Sequence, residues 1–370
     1  MKQYQIVGLM SGSSLDGLDI AVANFEIEER EPFKLNWKLV AADTIPYNEE
    51  WIQKLKDATK YDAISFCKLH AQIGHYFGEI VNSFLKQHSL KPDFIASHGH
   101  TIFHFPSELF TVQIGDGAAI AAKTGIDVIT EFRTKDVALG GQGAPLAPLA
   151  DKYLLNGYDF YVNLGGIANI SCNINGKYIA YDTGAANQVL NALTQTIGLE
   201  YDDKGNMAST GNIDKQLLDS INQNSYYTQP YPKSLDNTWV QQNVTPFYLK
   251  STIELKDKLA TATEQTAQQL VNAIQLIIEK EQFLKENYKM IITGGGAFND
   301  FQIERIKALL KKVGLEKVEI IIPDQDIIKF KEALLIALLG LLRIERIPNS
   351  MSSVTGASMD NINGAIYSGK

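Results

Sequence analysis

Three segments put glycine where an apolar run ends: Gly12-Ser13-Ser14-Leu15-Asp16-Gly17-Leu18-Asp19, Asn163-Leu164-Gly165-Gly166, and Gly294-Gly295-Gly296-Ala297-Phe298-Asn299. Glycine lets a backbone come close to an anion, and hydroxyls with successive amides wrap phosphate oxygens. Asp16 and Asp19 would repel phosphate unless a magnesium ion lay between, as in metal-assisted phosphoryl sites. The first segment equally suits a plain hairpin turn with satisfied Asp side chains. The third closes a buried strand just ahead of an amphipathic stretch, and such a turn can take the base or ribose of a nucleotide. No GxxxxGK[ST] occurs, and no GxGxxG follows a strand. Three glycine clusters at strand ends therefore point to several loops converging on one nucleotide.

Other residues suit proton transfer or anion binding. Asp182 ends the alternating run Lys177-Tyr178-Ile179-Ala180-Tyr181-Asp182, where a rigid strand could aim it as a general base or where it could cap the next helix. Ser97-His98-Gly99-His100-Thr101-Ile102-Phe103-His104 holds three of the six histidines at even offsets, which allows a polar substrate-contact loop or a zinc site. The stretch 131–151 gathers Arg133, Asp136, Gln142 and three glycines. Arg133 there can grip a carboxylate or phosphate, or pair internally with Glu131 or Asp136.

These groups need a framework. Short runs rich in Val, Ile, Tyr and Phe at 4–9, 20–27, 37–44, 94–97, 110–114, 127–130, 160–163, 170–174, 178–182, 290–293 and 319–322 predict strands. Periodic apolar residues predict helices at 49–58, 62–87, 117–124, 186–197, 298–313 and 331–343, and at least one long helix within 248–288. The alternation indicates an α/β fold, and 370 residues suggest two domains. The polar stretch 201–243 reads as a surface loop or small insertion. A net charge of −8 gives no general affinity for nucleic acid or anionic membrane, so any phosphate must be held locally. Cys67 and Cys172 form no CxxC pattern, the start carries no signal-like run, and the apolar stretch 333–342 is too short to span a bilayer. A cytoplasmic location is the expectation.

Taken in order, the segments resemble the 1,6-anhydro-N-acetylmuramic acid kinase family of the actin-like and hexokinase-like ATPase superfamily. Further landmarks are Gln113-Ile114-Gly115-Asp116-Gly117, Gly140-Gly141-Gln142-Gly143-Ala144-Pro145, Asp182-Thr183-Gly184, Lys331-Glu332-Ala333 and Val354-Thr355-Gly356-Ala357, so the likeness spans nearly the whole chain. It implies a two-domain actin-like (ribonuclease H-like) α/β fold with an interdomain ATP and sugar cleft. Domain I would cover 1–133, with 344–370 returning to it, and domain II 134–343. ATP would contact Gly12, Ser13, Ser14, Leu15, Asp16, Gly17, Leu18, Asp19, Asn163, Gly165, Gly166, Gly294, Gly295, Gly296 and Asn299, with Mg²⁺ at Asp16 and Asp19. Asp182 would be the catalytic base. Ser97, His98, Gly99, His100, Asp116, Arg133, Gln142 and Glu332 would contact the sugar.

The implied reaction opens the 1,6-anhydro ring and phosphorylates O6, giving N-acetylmuramate 6-phosphate and ADP in peptidoglycan recycling. Two other readings share the motifs: a kinase for a related anhydro sugar such as levoglucosan, and a non-catalytic ATP-binding sugar sensor. The resemblance also implies a homodimer. The chain departs from the family at Ala185-Ala186, where Pro-Gly is usual, and at His100, where Gln is common.

Overall fold

A computed structural model describes residues 2–12 and 14–370, and in it the strand–helix alternation becomes two separate mixed sheets. The chain opens as an antiparallel meander of β1 (Lys2–Ser11), β2 (Gly17–Arg30) and β3 (Phe33–Pro46). Then come α1 (Glu49–Asp57), α2 (Ala63–His88), β4 (Phe94–Phe105), β5 (Phe110–Ile114), α3 (Gly117–Thr124), β6 (Asp127–Thr130), α4 (Thr134–Ala138) and α5 (Ala147–Tyr153). Asp62 starts α2 by accepting from Ser65 N at 2.9 Å. Leu69, Ile73, Phe77, Val81 and Phe84, spaced at helical intervals, then lay one face of α2 on Val7, Leu9, Ile20 and Ile95 of the sheet. Each such buried side chain contributes about 1.5–3 kcal/mol, so this face fixes where the strands lie.

β1 runs parallel to β4, and β4 parallel to β6, with Leu9 beside Ser97, Ser11 beside His100 and Ala96 beside Ile129. Parallel neighbours release their following loops at the same end. The turn after β1, residues 97–100 of β4 level with the end of β1, and Arg133 after β6 therefore lie at the same end of the sheet, where α/β sheets take ligands.

The next stretch holds β7 (Phe160–Leu164), β8 (Ile167–Ile174), β9 (Lys177–Ala185), α6 (Asn187–Gln195), α7 (Lys215–Asn222), α8 (Asn237–Asn243), α9 (Thr245–Lys250), α10 (Leu255–Lys280), β10 (Tyr288–Thr293), α11 (Asp300–Lys312) and β11 (Val318–Ile321). Its sheet order is β11-β10-β7-β8-β9. β7, β10 and β11 are parallel, with Thr293 opposite Asn163, whereas β8 and β9 return antiparallel. Ala267, Leu270, Ile274 and Ile277 of α10 seal one face of this sheet.

The chain then forms α12 (Gln325–Ile344), α13 (Ser352–Thr355) and β12 (Ala365–Tyr367), which pairs antiparallel with β6. The apolar run of α12 is buried throughout. A Cβ placed on Gly8 would lie 1.9 Å from Ala333 O, so this helix rests directly on β1. No helix among the described residues is long and apolar enough to cross a membrane.

The two units are Met1–Asn156 with Lys329–Lys370, and Gly157–Ile328. These limits differ from the 133/134 and 343/344 boundaries expected from sequence. Residues 134–156 stay with the first sheet because Trp37 Nε1 donates to Leu154 O at 2.9 Å and Phe33 meets Tyr153 edge-on. Residues 329–343 do so because α12 covers β1. The stretch 201–243 is also more ordered than a surface loop. Leu218 and Ile221 of α7 and Val240 of α8 are buried, and α7 is capped by Asp214.

Candidate functional site

In the first unit the β1–β2 turn is exposed at Ser14 and Asp16 and partly so at Gly12, Leu15 and Asp19. Ser13 lies outside the described residues. A Cβ on Gly12 would meet nothing nearer than Ser14 Oγ at 3.7 Å, so packing does not require glycine there. Leu15 holds φ 63°, a costly value for a branched residue and one that clusters at functional turns. Gly17 and Leu18 play another part. A Cβ on Gly17 would strike Ile45 O at 2.3 Å, and Leu18 is fully buried in the core. Asp19 Oδ1 accepts from Thr44 Oγ1 at 2.7 Å. Burial raises the Asp19 carboxyl above its ordinary range and the charge of Asp16 adds to this, while Thr44 and Lys329 oppose it. Two mutually repelling carboxylates with hard oxygens suit a magnesium ion completed by phosphate and water.

The histidines do not form a metal site. Among the described residues no group of three or more His, Cys, Asp or Glu could hold an ion. Each ring has its own partner instead. His98 Nδ1 is 3.1 Å from Gly99 O, and Arg133 Nε donates to His98 Nε2 at 2.8 Å. An arginine cannot accept, so His98 Nε2 is bare and the proton sits on Nδ1. Burial, then the Arg133 charge, push the His98 pKa down to about 3. With both nitrogens committed, His98 orients Arg133 and leaves no nitrogen for a sugar.

His100 Nδ1 faces Ser11 Oγ at 2.9 Å, and Tyr47 donates to the same oxygen at 2.6 Å. Ser11 Oγ thus links Tyr47 and His100 in one buried hydrogen-bonded chain. Burial lowers the His100 pKa. Among the described residues, Ser97 Oγ is buried with no hydrogen-bond partner.

Arg133 pairs with neither Glu131 nor Asp136. Its Nη1 donates to Gly143 O at 2.7 Å, and Gly143 N–H donates to Asp136 Oδ2 at 2.8 Å. Asp136, 1% exposed, also accepts through Oδ1 from Ser350 Oγ at 2.5 Å, Thr355 Oγ1 at 2.9 Å and Asn361 Nδ2 at 2.9 Å. This carboxylate ties the loop holding Gln142 and Gly143 to the C-terminal segment. Gln142 itself is exposed, and its N–H donates to Thr355 O. Glu332 is exposed and its charge acts on Arg133. Asp116 caps α3 by accepting from Ala118 N at 2.9 Å.

In the second unit the register of β7 with β10 places Gly165-Gly166 beside Gly294-Gly295-Gly296. The glycines then divide by what surrounds them. A Cβ on Gly294 would lie 2.7 Å from Leu164 O at φ 82°, and one on Gly296 2.7 Å from Leu164 Cβ. Both permit the two turns to pack together. Gly166 and Gly295 have free space, their nearest neighbours being Gln188 Cβ and Asn187 Nδ2, each at 3.6 Å. Neither has positive φ. The carbonyls of Gly165 and Gly166 accept from Asn187, Ala186 and Gln188, and among the described residues no protein acceptor takes their own N–H groups. Such a turn offers donors to an anion. Beside it a cavity of about 510 Å³ is lined by Asn187, Asn191, Tyr201, Lys204, Gly295, Gly296, Phe298 and Asn299. Asn299 Oδ1 caps α11 through Gln302 N–H at 2.9 Å.

The sequence reading missed Asn187, Asn191, Tyr201, Lys204 and Phe298. An aromatic two residues after three glycines was an available signal for Phe298, which is 39% exposed. Tyr201 and Lys204 are brought in from a stretch with no pattern of its own.

Asp182 lies on β9 next to an irregularity. Asn169 of β8 faces Asp182 and Ala168 faces Gly184, so Thr183 is an extra residue that re-aims the strand. Asp182 does not cap α6, which starts at Asn187 without a side-chain cap. Its Oδ2 accepts from Leu235 N at 2.8 Å. Burial raises its carboxyl above the ordinary range and the Leu235 amide partly reverses this, a suitable poise for a base.

A family model described as anhydro-N-acetylmuramic acid kinase matches residues 4–369. Relatives named anhydro-N-acetylmuramic acid kinase include one from Photobacterium profundum, 34% identical over 98% of this chain and 98% of its own. Those from Shewanella amazonensis (33%, 99% of both chains) and Vibrio cholerae (33%, 98% of this chain and 97% of its own) are similar. Among solved structures, the activator of the 2-hydroxyisocaproyl-CoA dehydratase from Clostridium difficile aligns over 92% of this chain and 96% of its own, at 13% identity and a TM-score of 0.43.

Proposed function

The chain belongs to the anhydro-N-acetylmuramic acid kinase family, and from that premise we propose that it uses ATP to open and phosphorylate 1,6-anhydro-N-acetylmuramic acid. The products are N-acetylmuramate 6-phosphate and ADP. The observation that carries the nucleotide part is the free space at Gly12, Gly166 and Gly295, where neither packing nor backbone angle accounts for glycine. Ligand atoms that must approach the backbone at each turn account for glycine there.

Asp182 takes a proton from a water whose oxygen bonds to C1. The C1–O6 bond breaks, and its electron pair goes to O6. O6 then bonds to the γ-phosphorus as the bond to ADP breaks, so the water proton ends on Asp182. The Gly165-Gly166 amides hold phosphate oxygens, and the cavity beside Gly295 takes the adenosine. Asp16 and Asp19 would hold Mg²⁺, which when bound offsets phosphate charge. Arg133, fixed by His98 and Gly143, binds the sugar's lactyl carboxylate, and His100 contacts the sugar. Positioning and charge neutralisation supply most of the rate in such transfers.

A coupled ADP-release assay with 1,6-anhydro-N-acetylmuramic acid and Mg-ATP tests this. Turnover with that sugar well above turnover with levoglucosan is the expected result. Equal or better use of levoglucosan would overturn the substrate assignment, and no ADP from either would overturn the kinase assignment.

A further inference from the structure

β9 is the edge strand of its sheet, so the outward N–H and C=O groups of its residues need partners from elsewhere. At Asp182 all of them come from residues 225–235. Tyr226 Oη donates to Asp182 O at 2.7 Å, Asp182 N–H donates to Lys233 O at 3.3 Å, and Leu235 N–H donates to the carboxylate Oδ2 at 2.8 Å. One short segment thus holds the backbone on both sides and one of the two carboxylate oxygens.

The segment is itself braced. Lys233 Nζ donates to Tyr226 O at 2.9 Å and to Tyr227 O at 3.4 Å, and lies 4.6 Å from the centre of the Tyr226 ring. Tyr231 stacks on Tyr181 with centroids 5.1 Å apart, donates to Glu281 at 2.8 Å and carries Lys280 Nζ over its ring at 3.8 Å. The ammonium of Lys233 is therefore spent inside the segment.

We propose that residues 225–235 form a strap that sets which oxygen of Asp182 meets the reacting water, with Tyr226 and Lys233 as its positioning residues. The proposal rests on Asp182 being the base. With Oδ2 committed to the Leu235 amide, the other oxygen is the one left to take the proton. The same amide favours the charged carboxylate and opposes the effect of burial. The charge of Asp182 acts on the Tyr226 phenol; Tyr181 precedes Asp182 on β9, Tyr227 follows Tyr226 on the strap, and Lys233 supplies the carbonyl that takes the Asp182 N–H. Burial raises the three phenols and lowers Lys233.

The test compares Tyr226→Phe, Lys233→Met and Asp182→Asn in the full chain, by ADP release across pH and by thermal unfolding. Tyr226→Phe removes one hydroxyl and nothing else. A loosened strap weakens the Leu235 bond, so the carboxylate holds its proton to higher pH. The expected result for both strap variants is a kcat about 3- to 10-fold lower. Sugar KM should stay within twofold, and the acidic limb of kcat/KM should move to higher pH. An unmoved limb overturns the strap, whether or not the thermal midpoint falls, because a purely structural role moves only the midpoint. If Asp182→Asn retains activity, the base assignment fails instead, so the two failures are distinguishable.

Discussion

Replacing Gly166 or Gly295 with alanine separates a ligand requirement from a folding requirement. At both positions the added Cβ meets its nearest protein atom at 3.6 Å, ordinary van der Waals contact, and φ is not positive. The folded chain therefore accepts the methyl. The unfolded chain loses freedom, which stabilises such variants by about 0.4–1 kcal/mol. A phosphate oxygen bonded to a neighbouring amide sits at about 2.9 Å from nitrogen, and a methyl beside it forces the anion outward by several tenths of an ångström. Losing one charge-assisted hydrogen bond costs about 1.5–3 kcal/mol, or roughly 10- to 100-fold in ATP KM. Gly296→Ala is the contrast, since its Cβ would stand 2.7 Å from Leu164 Cβ and 3.0 Å from Asn187 Oδ1. Overpacking there should cost about 1–3 kcal/mol of stability. The assay is ADP release at saturating sugar with ATP varied, paired with thermal unfolding. If Gly166→Ala and Gly295→Ala keep ATP KM within twofold while remaining folded, these turns do not carry the nucleotide and the reasoning fails.

Further expectations follow from single groups. Asp182→Asn should lower kcat by about 10²- to 10⁴-fold, or roughly 3–5 kcal/mol, with the fold retained; near-normal turnover refutes its role. Asp136→Asn must set an amide NH₂ against Gly143 N–H or against the Ser350, Thr355 and Asn361 donors, and should cost about 2–3 kcal/mol in urea unfolding, a loss below about 1 kcal/mol arguing against the clasp. His98 binds its proton less readily folded than unfolded, so its contribution to stability is intact above the ordinary histidine range. It is lost as pH falls from there toward about 3. His98→Asn should therefore flatten the acid side of the stability–pH curve by up to about 1.4 kcal/mol per pH unit, and an unchanged slope would count against a neutral His98.

The long elements were legible because one face of each is apolar at a fixed period. The 62–87 expectation for α2 needed only the Leu69–Ile73–Phe77 spacing, and 333–342 announced a buried helix by lacking charge. The glycine segments were legible as strand ends, but which glycines packing requires and which it leaves open was not. That depends on Leu164 lying against Gly294 and Gly296, a contact set by the β7–β10 register. The helices α7 to α9 were hidden because their few apolar residues are diluted by Asn, Gln and Pro. His98 was read as a substrate contact because its residue type allows it. Only the approach of Arg133, 35 positions away, shows that both nitrogens are occupied. The unit limits escaped for the same reason, since the apolar face of α12 does not state which sheet it covers.

The way α12, β12 and the Asp136 clasp complete the first sheet has a consequence for how the chain is made. The second unit is one continuous stretch and has all its strands once β11 has left the ribosome. The first unit has its strands β1 to β6 much earlier, yet β1 lacks its covering helix and Asp136 lacks three of its donors until the last residues appear. At about 5–20 residues per second, that sheet waits some ten seconds or more with apolar surface uncovered. The earliest-made half of the molecule is thus the last to close, and a released chain ending at residue 328 should show protease-sensitive β1–β6 beside a resistant 157–328.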